Sequence, residues 1–190
     1  NVEIYEAYNR DWMNRDLAWY LEPATDSDVD FRGLYPQDFF VKSPPTKPAA
    51  WHLVGGLDSL DDSETNRQKI EDNLPVTLND WIDCDGLFCL KIKLRGNDAA
   101  WDYERIVRVG QIASRKNVKS LSADFNCTVT EPAYVNSILD RLAAEHPGIF
   151  AMLIYIEQPF PYELDDYPIN VRSLAARKPL FMDESAHNWQ

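Results

Sequence analysis

Two lysines, Lys91 and Lys93, stand one residue apart in the apolar run "FCLKIKL". Side chains of a strand alternate between its faces, so both amines share one face and Phe88, Leu90, Ile92 and Leu94 the other. Ammonium groups held in an interior need partners. Three carboxylates offer them: Asp124 in "SADFN", Glu157 in "YIEQP" and Asp183 in "FMDES". Lys93 to Asp124 is 31 residues, Asp124 to Glu157 is 33, and Glu157 to Asp183 is 26. Alternation groups Ser122, Asp124 and Asn126 on one face, Tyr155 and Glu157 on another, and Phe181, Asp183 and Ser185 on a third. Two chemistries suit such a set. One is structural: a cluster of ion pairs, or solvated charges at strand ends. The other is catalytic. Three oxygen ligands without histidine or thiolate suit a hard cation, Mg²⁺ first and Mn²⁺ as an alternative. A lysine beside that ion and beside a second lysine is pushed toward the neutral amine, a general base.

Charged residues that recur about every thirty positions need a scaffold with the same period. From residue 50 onward, strand patterns ("AAWHLVGG", "GLFCLKIKLRG", "SLSADFN", "FAMLIYIEQP", "LFMDES") alternate with helix patterns. The helices are "SETNRQKIEDNL" with Ser63 as N-cap, "DAAWDYERIVRVGQIASRK" capped by Asn97 or Asp98, "PAYVNSILDRLAAEH" and "INVRSLAARK". This is the pattern of βαβ units on a parallel sheet, an α/β fold. A (β/α)8 barrel of about 250 residues spends roughly 31 on each unit and builds its site at the carboxyl ends of its strands. No G-x-G-x-x-G follows the first strand, which weighs against a dinucleotide-binding sheet. Residues 2–21 read as an amphipathic helix with an aromatic face, because Tyr5, Tyr8, Trp12 and Trp19 recur at helical steps. Residues 22–49 carry five prolines and read as a connection.

The motifs "LKIKL", "ADFN", "YIEQP" and "FMDES" resemble, in order and spacing, the strand-end motifs of the enolase superfamily, in its mandelate racemase and muconate lactonising branches. The resemblance covers about residues 50–190, and "DES" tilts it toward the muconate-like branch. It implies a partial TIM-type barrel, about strands one to five of eight, preceded over residues 1–49 by the end of a capping domain and a linker. Asp124, Glu157 and Asp183 would be the Mg²⁺ ligands, with Glu184 the rival of its neighbour Asp183. Lys93 would be the base, Lys91 its assistant, and Asn126 a support of substrate or metal shell. The implied reaction removes the proton α to a substrate carboxylate through an enediolate, as in a racemase, epimerase or cycloisomerase. An acid-sugar dehydratase is the runner-up, and an inert barrel fragment the reading from another class. A small-molecule carboxylate would be the substrate, and the full-length protein a homo-oligomer. Weaker candidates are Ser185, His52 at the end of the first strand, His187, and Arg95, which shares the lysine face.

Composition excludes several other classes. The net charge of −12 over 190 residues repels nucleic acid. No apolar run is long enough to span a bilayer, and no signal peptide opens the chain. Cys84, Cys89 and Cys127 lack zinc spacing and read as the reduced thiols of a cytoplasmic protein. The chain opens on Asn1 and is expected to be an internal portion of a longer protein, inactive when isolated.

Overall fold

The computed structural model describes residues 2–65 and 74–187, except the side chain of residue 187. The chain forms two compact units, Asn1–Pro48 and Ala49–Gln190.

In the first unit the expected helix over residues 2–21 does not form; short 3-10 helices at Ile4–Ala7 and Leu17–Trp19 take its place. Local side-chain hydrogen bonds compete with the helix. Asn9 donates to the Glu6 carbonyl at 2.8 Å and accepts from the Asp11 N–H at 2.9 Å, closing a turn mid-segment. The aromatic face closes on Phe40, which meets Tyr5 and Tyr8 edge-on at 5.7 and 5.9 Å.

The second unit runs β1 (Trp51–Val54), α1 (Leu78–Asp85), β2 (Cys89–Lys93), α2 (Ala99–Arg115), β3 (Ser120–Asp124), α3 (Pro132–Glu145), α4 (Pro147–Met152), β4 (Leu153–Glu157), α5 (Arg172–Ala175) and β5 (Leu180–Phe181). All five strands are parallel and hydrogen-bonded in sequence order. A doubly wound sheet reverses its strand order at a switch point. This sheet winds one way only, as barrel strands do. It is also concave: the Trp51 ring on β1 meets that of Tyr155 on β4, three strands away, at 5.3 Å and a 58° tilt. The fold is α/β, a five-strand part of a TIM-type barrel.

Helix termini follow local chemistry. Asp98 caps α2 by accepting the Trp101 N–H at 3.1 Å, and Pro132 opens α3. α1 was not anticipated, although Thr77 and Asp80 form a capping box before it and Gly86, at φ +62°, ends it. Leu90, Ile92, Leu121, Ala123, Leu153 and Ile156 bury the outer face of the sheet in one core with Ile106, Val109 and Ile112 of α2 and Leu139 and Leu142 of α3. Each such Leu or Ile contributes about 1.5–3 kcal/mol when fully buried.

Four further expectations need correction. Residues 150–152 end α4 and not a strand, and the last strand is only Leu180–Phe181. In β4 the register steps from Leu121↔Leu153 to Ser122↔Tyr155. The extra residue, Ile154, is 42% exposed, where simple alternation puts it with Ile156 in the core. The bulge lets Leu153 and Ile156 both face inward to the helices. The helix expected over residues 63–74 lies mostly outside the described residues; before them, Asp61 and not Ser63 caps a 3-10 helix at Asp62–Glu64.

Gly110 fixes the closeness of α2 and α4. A Cβ there would lie 2.5 Å from Ile149 Cγ2. Gly110→Ala gains about 1 kcal/mol of helix propensity but overpacks, at about 1–3 kcal/mol. The net expectation is a loss of about 1 kcal/mol in urea unfolding. A gain in stability would mean that α4 moves aside freely.

Candidate functional site

Lys93, Asp124 and Glu157 occupy one level of the sheet, since Lys93 pairs with Asp124 and Asp124 with Glu157 in the ladders. Ladder partners share a face, so these side chains emerge together from the concave face at the carboxyl ends of β2, β3 and β4. Lys91, Ser122 and Tyr155 form the level beneath.

The Lys93 ammonium donates to Asp124 Oδ2 at 2.5 Å and to Asn126 Oδ1 at 2.7 Å. Lys91 donates to Glu157 Oε1 and lies 3.0 Å from Asp124 Oδ2. Both carboxylates are almost fully buried, at 2% and 4% side-chain exposure, while the lysines keep 26% and 20%. Immediately after β3 the backbone turns through left-handed Asn126 (φ +52°) and Cys127 (φ +62°). Asn126 supports this turn by donating its N–H to Asp124 Oδ1 at 2.8 Å and its amide to the Leu94 carbonyl at 3.0 Å. Asn126 thereby binds the ends of β2 and β3 together.

Burial and ion pairing together set the electrostatics of the cluster. Burial works against the Lys91 ammonium, but hydrogen bonds to Glu157 and Asp124 outweigh it and hold its pKa above the ordinary lysine value. Burial raises the pKa of Glu157; the Lys91 hydrogen bond opposes this, and the charges of Asp124 and Asp183 add to it. The Cys127 thiol is pushed up to about 11 by burial, then by the charge of Glu184 and a hydrogen bond to it, and by Asp124 and Asp183.

The other candidates are placed differently. Asp183 lies two residues past the end of β5, so strand alternation does not govern it, and it is exposed. Its charge is felt at Glu157, whereas Glu184 engages Cys127. Among the described residues, no three His, Cys, Asp or Glu side chains converge closely enough to hold a metal ion. Asp124 and Glu157 nevertheless have the chemistry for a hard cation: adjacent buried carboxylate oxygens, in register. His52 does not face the mouth. It pairs with Leu90 in the ladder, on the helix side, and its ring lies 5.5 Å from that of Trp81 in α1. Ser185 turns its hydroxyl to the Gln158 amide at 2.8 Å. Arg95 stands at the rim, 4.0 Å over the Trp101 ring. The side chain of His187 lies outside the described residues.

Two supporting residues escaped sequence reasoning. Gln158 is buried at φ +33°, and its Oε1 accepts the N–H groups of Asp183 at 2.9 Å and Ser185 at 3.2 Å. It thus ties the turn carrying Asp183 to the residue after Glu157. Asp102, buried in the first turn of α2, accepts the N–H groups of Arg95 at 2.7 Å and Gly96 at 2.9 Å. An acidic residue at a helix start is a common signal, and only the three-dimensional path of the β2–α2 loop gives this one its task.

No model of a known protein family matches the chain, and no curated protein matches it. Solved structures do. A mandelate racemase/muconate lactonizing protein from Herpetosiphon aurantiacus is 26% identical over 56% of this chain and 28% of its own, with a TM-score of 0.45. An enolase from Bradyrhizobium, complexed with magnesium and mandelic acid, is 24% identical over 70% of this chain and 30% of its own, with a TM-score of 0.47. A mandelate racemase/muconate lactonizing enzyme from Roseiflexus sp. is 24% identical over 57% of this chain and 29% of its own, with a TM-score of 0.44. The chain spans less than a third of the length of each.

Proposed function

We propose that the whole protein is a Mg²⁺-dependent enzyme that removes the proton α to a substrate carboxylate, with Lys93 as the base. One observation carries this reading: an amine, Lys93, stands in register beside two buried carboxylates at the carboxyl ends of adjacent parallel strands. Asp124 and Glu157 would hold the cation, with Asp183 as third ligand. When bound, Mg²⁺ would supply positive charge against the oxygens of an enediolate. Lys93 would take the proton, oriented by Asn126 Oδ1 at 2.7 Å. Lys91 lies on the same face one level below and would assist by pairing with Asp124 and Glu157. Racemisation, epimerisation or cycloisomerisation is the favoured outcome, and dehydration of an acid sugar the runner-up. The reading places residues 50–190 in the catalytic barrel and residues 1–49 at the end of a capping domain with its linker.

A second reading has its own observation. Both amines and both buried carboxylates are already mutually paired, as in a purely structural ion cluster. Calorimetric titration with Mg²⁺ separates the two. The enzyme reading expects binding that Asp124→Asn weakens by about tenfold or more, and that Asp183→Asn weakens more than Glu184→Gln. The reverse order would make Glu184 the third ligand. No heat of binding with the full-length protein would favour the structural cluster.

A further inference from the structure

Next to Lys93 and Asn126 opens a cavity of about 340 Å³, floored by Leu57 and walled by Trp101 and Arg95. Its charged lining is Lys93 and Arg95, and among the described residues no carboxylate lines it. The two cations differ in what they already hold. Lys93 is committed to Asp124 and Asn126. The Arg95 guanidinium makes no hydrogen bond among the described residues; its charged partner is Asp98, at 3.8 Å. Its Cζ lies over the Trp101 ring, 4.0 Å from the centroid. A guanidinium held over a ring by a cation–π contact keeps its N–H donors available to a planar anion.

The surroundings hold this arrangement in place. The Arg95 N–H is fixed by Asp102 at 2.7 Å, and its carbonyl accepts from Thr128 Oγ1 at 2.8 Å. Gly96 follows at φ +71°, where any Cβ would collide with Thr128 Oγ1. Trp101 is fixed in turn. Its N–H meets the Asp98 cap, its ring packs on Gly56, and buried Arg105 stands 5.9 Å from the ring while donating to the Gly55 and Asp58 carbonyls. A surface arginine ordinarily keeps about 2 kcal/mol of rotamer freedom. Here the backbone and the stacking partner are both immobilised, so less is lost when it binds.

We infer that Arg95, stacked on Trp101, is a specificity-determining residue that recognises a second carboxylate on the substrate, remote from the one whose α-proton faces Lys93. This deepens the proposed function and rests on it for the word substrate; the anion site itself does not need the metal. The substrate class is a dicarboxylic acid with an apolar or flat spacer that lies over Leu57 and Trp101.

Terephthalate and benzoate, two carboxylates on opposite ends of a flat ring against one, are suitable probes. Their affinities would be measured by calorimetry with and without Mg²⁺. Wild-type protein is expected to bind terephthalate roughly 10- to 100-fold more tightly than benzoate. Arg95→Gln should erase most of that preference and leave benzoate affinity nearly unchanged. Arg95→Lys should restore only part, because it keeps the charge and loses the fork. Circular dichroism melts of the variants should match wild type, since the guanidinium holds no hydrogen bond that folding needs. Equal affinity of wild type for the two probes, or an unchanged preference in Arg95→Gln, would overturn the inference. If Mg²⁺ fails to bind while the Arg95-dependent preference persists, the anion site stands and the enzyme reading falls. If Mg²⁺ binds and the preference is missing, only the anion site falls.

Discussion

In the full-length protein, Lys93→Met is expected to slow exchange of the substrate's α-proton with D₂O by about 10²- to 10⁴-fold, the usual contribution of a positioned base. Methionine keeps a similar length and an apolar stem, so the change removes the amine and little else. Asp124 retains the Asn126 N–H at 2.8 Å and the Lys91 ammonium at 3.0 Å, and Glu157 retains Lys91. Mg²⁺ affinity should therefore change little. Lys91→Met should behave differently. It strips Glu157 of its cation and leaves a buried carboxylate without its ion-pair partner, which costs stability. The exchange is followed by NMR on each substrate configuration. Wild-type exchange by Lys93→Met on both configurations would remove Lys93 as a base and with it the proposed reaction.

The parts of this site that could be read in the sequence are those where strand alternation holds without interruption. β2 and β3 are regular for their whole length, so Lys91 and Lys93, and Ser122 and Asp124, share faces as their spacing requires. β4 was readable only near its end. The bulge at Ile154 moves the count by one, yet Tyr155, Ile156 and Glu157 lie beyond it and keep their order. Asp183 marks the limit. Its run looks like a strand, but pairing stops at Phe181, and Gln158 then bends the chain by binding two successive-turn N–H groups. A side-chain amide brought from another strand has no signal in local periodicity. His52 failed for a related reason: one residue at a strand end can be assigned to either face until the ladder register is known. The N-terminal aromatic spacing misled because helical periodicity says nothing about whether turn-forming Asn and Asp side chains will break the helix first.

The supporting shell yields the second large effect. Asp102→Asn is expected to cost about 2–4 kcal/mol of stability in urea unfolding, far more than the half kilocalorie typical of an acid-to-amide change at a surface. The reason is the donor count. Asp102 Oδ1 accepts the Arg95 N–H at 2.7 Å, and Oδ2 accepts both the Gly96 N–H at 2.9 Å and the Tyr134 hydroxyl at 2.7 Å. All three donors converge on a residue with no exposed surface. An asparagine offers one oxygen, and its NH₂ would point at a donor. At least one buried N–H is then left without a partner, and water cannot reach it. Tyr134→Phe removes a donor from the same carboxylate and should cost only about 1 kcal/mol, as an ordinary hydrogen bond does. Combined with Asp102→Asn it should cost less than the sum, because the hydroxyl is already poorly served. The loop that Asp102 holds carries Arg95 and follows directly on Lys93, so Asp102→Asn should also weaken terephthalate binding, whereas Gly110→Ala, which overpacks α2 against α4 elsewhere, should not. Stability within about 0.5 kcal/mol of wild type, or strict additivity of the double variant, would show that the loop finds other acceptors and that Asp102 does not position the mouth of the site.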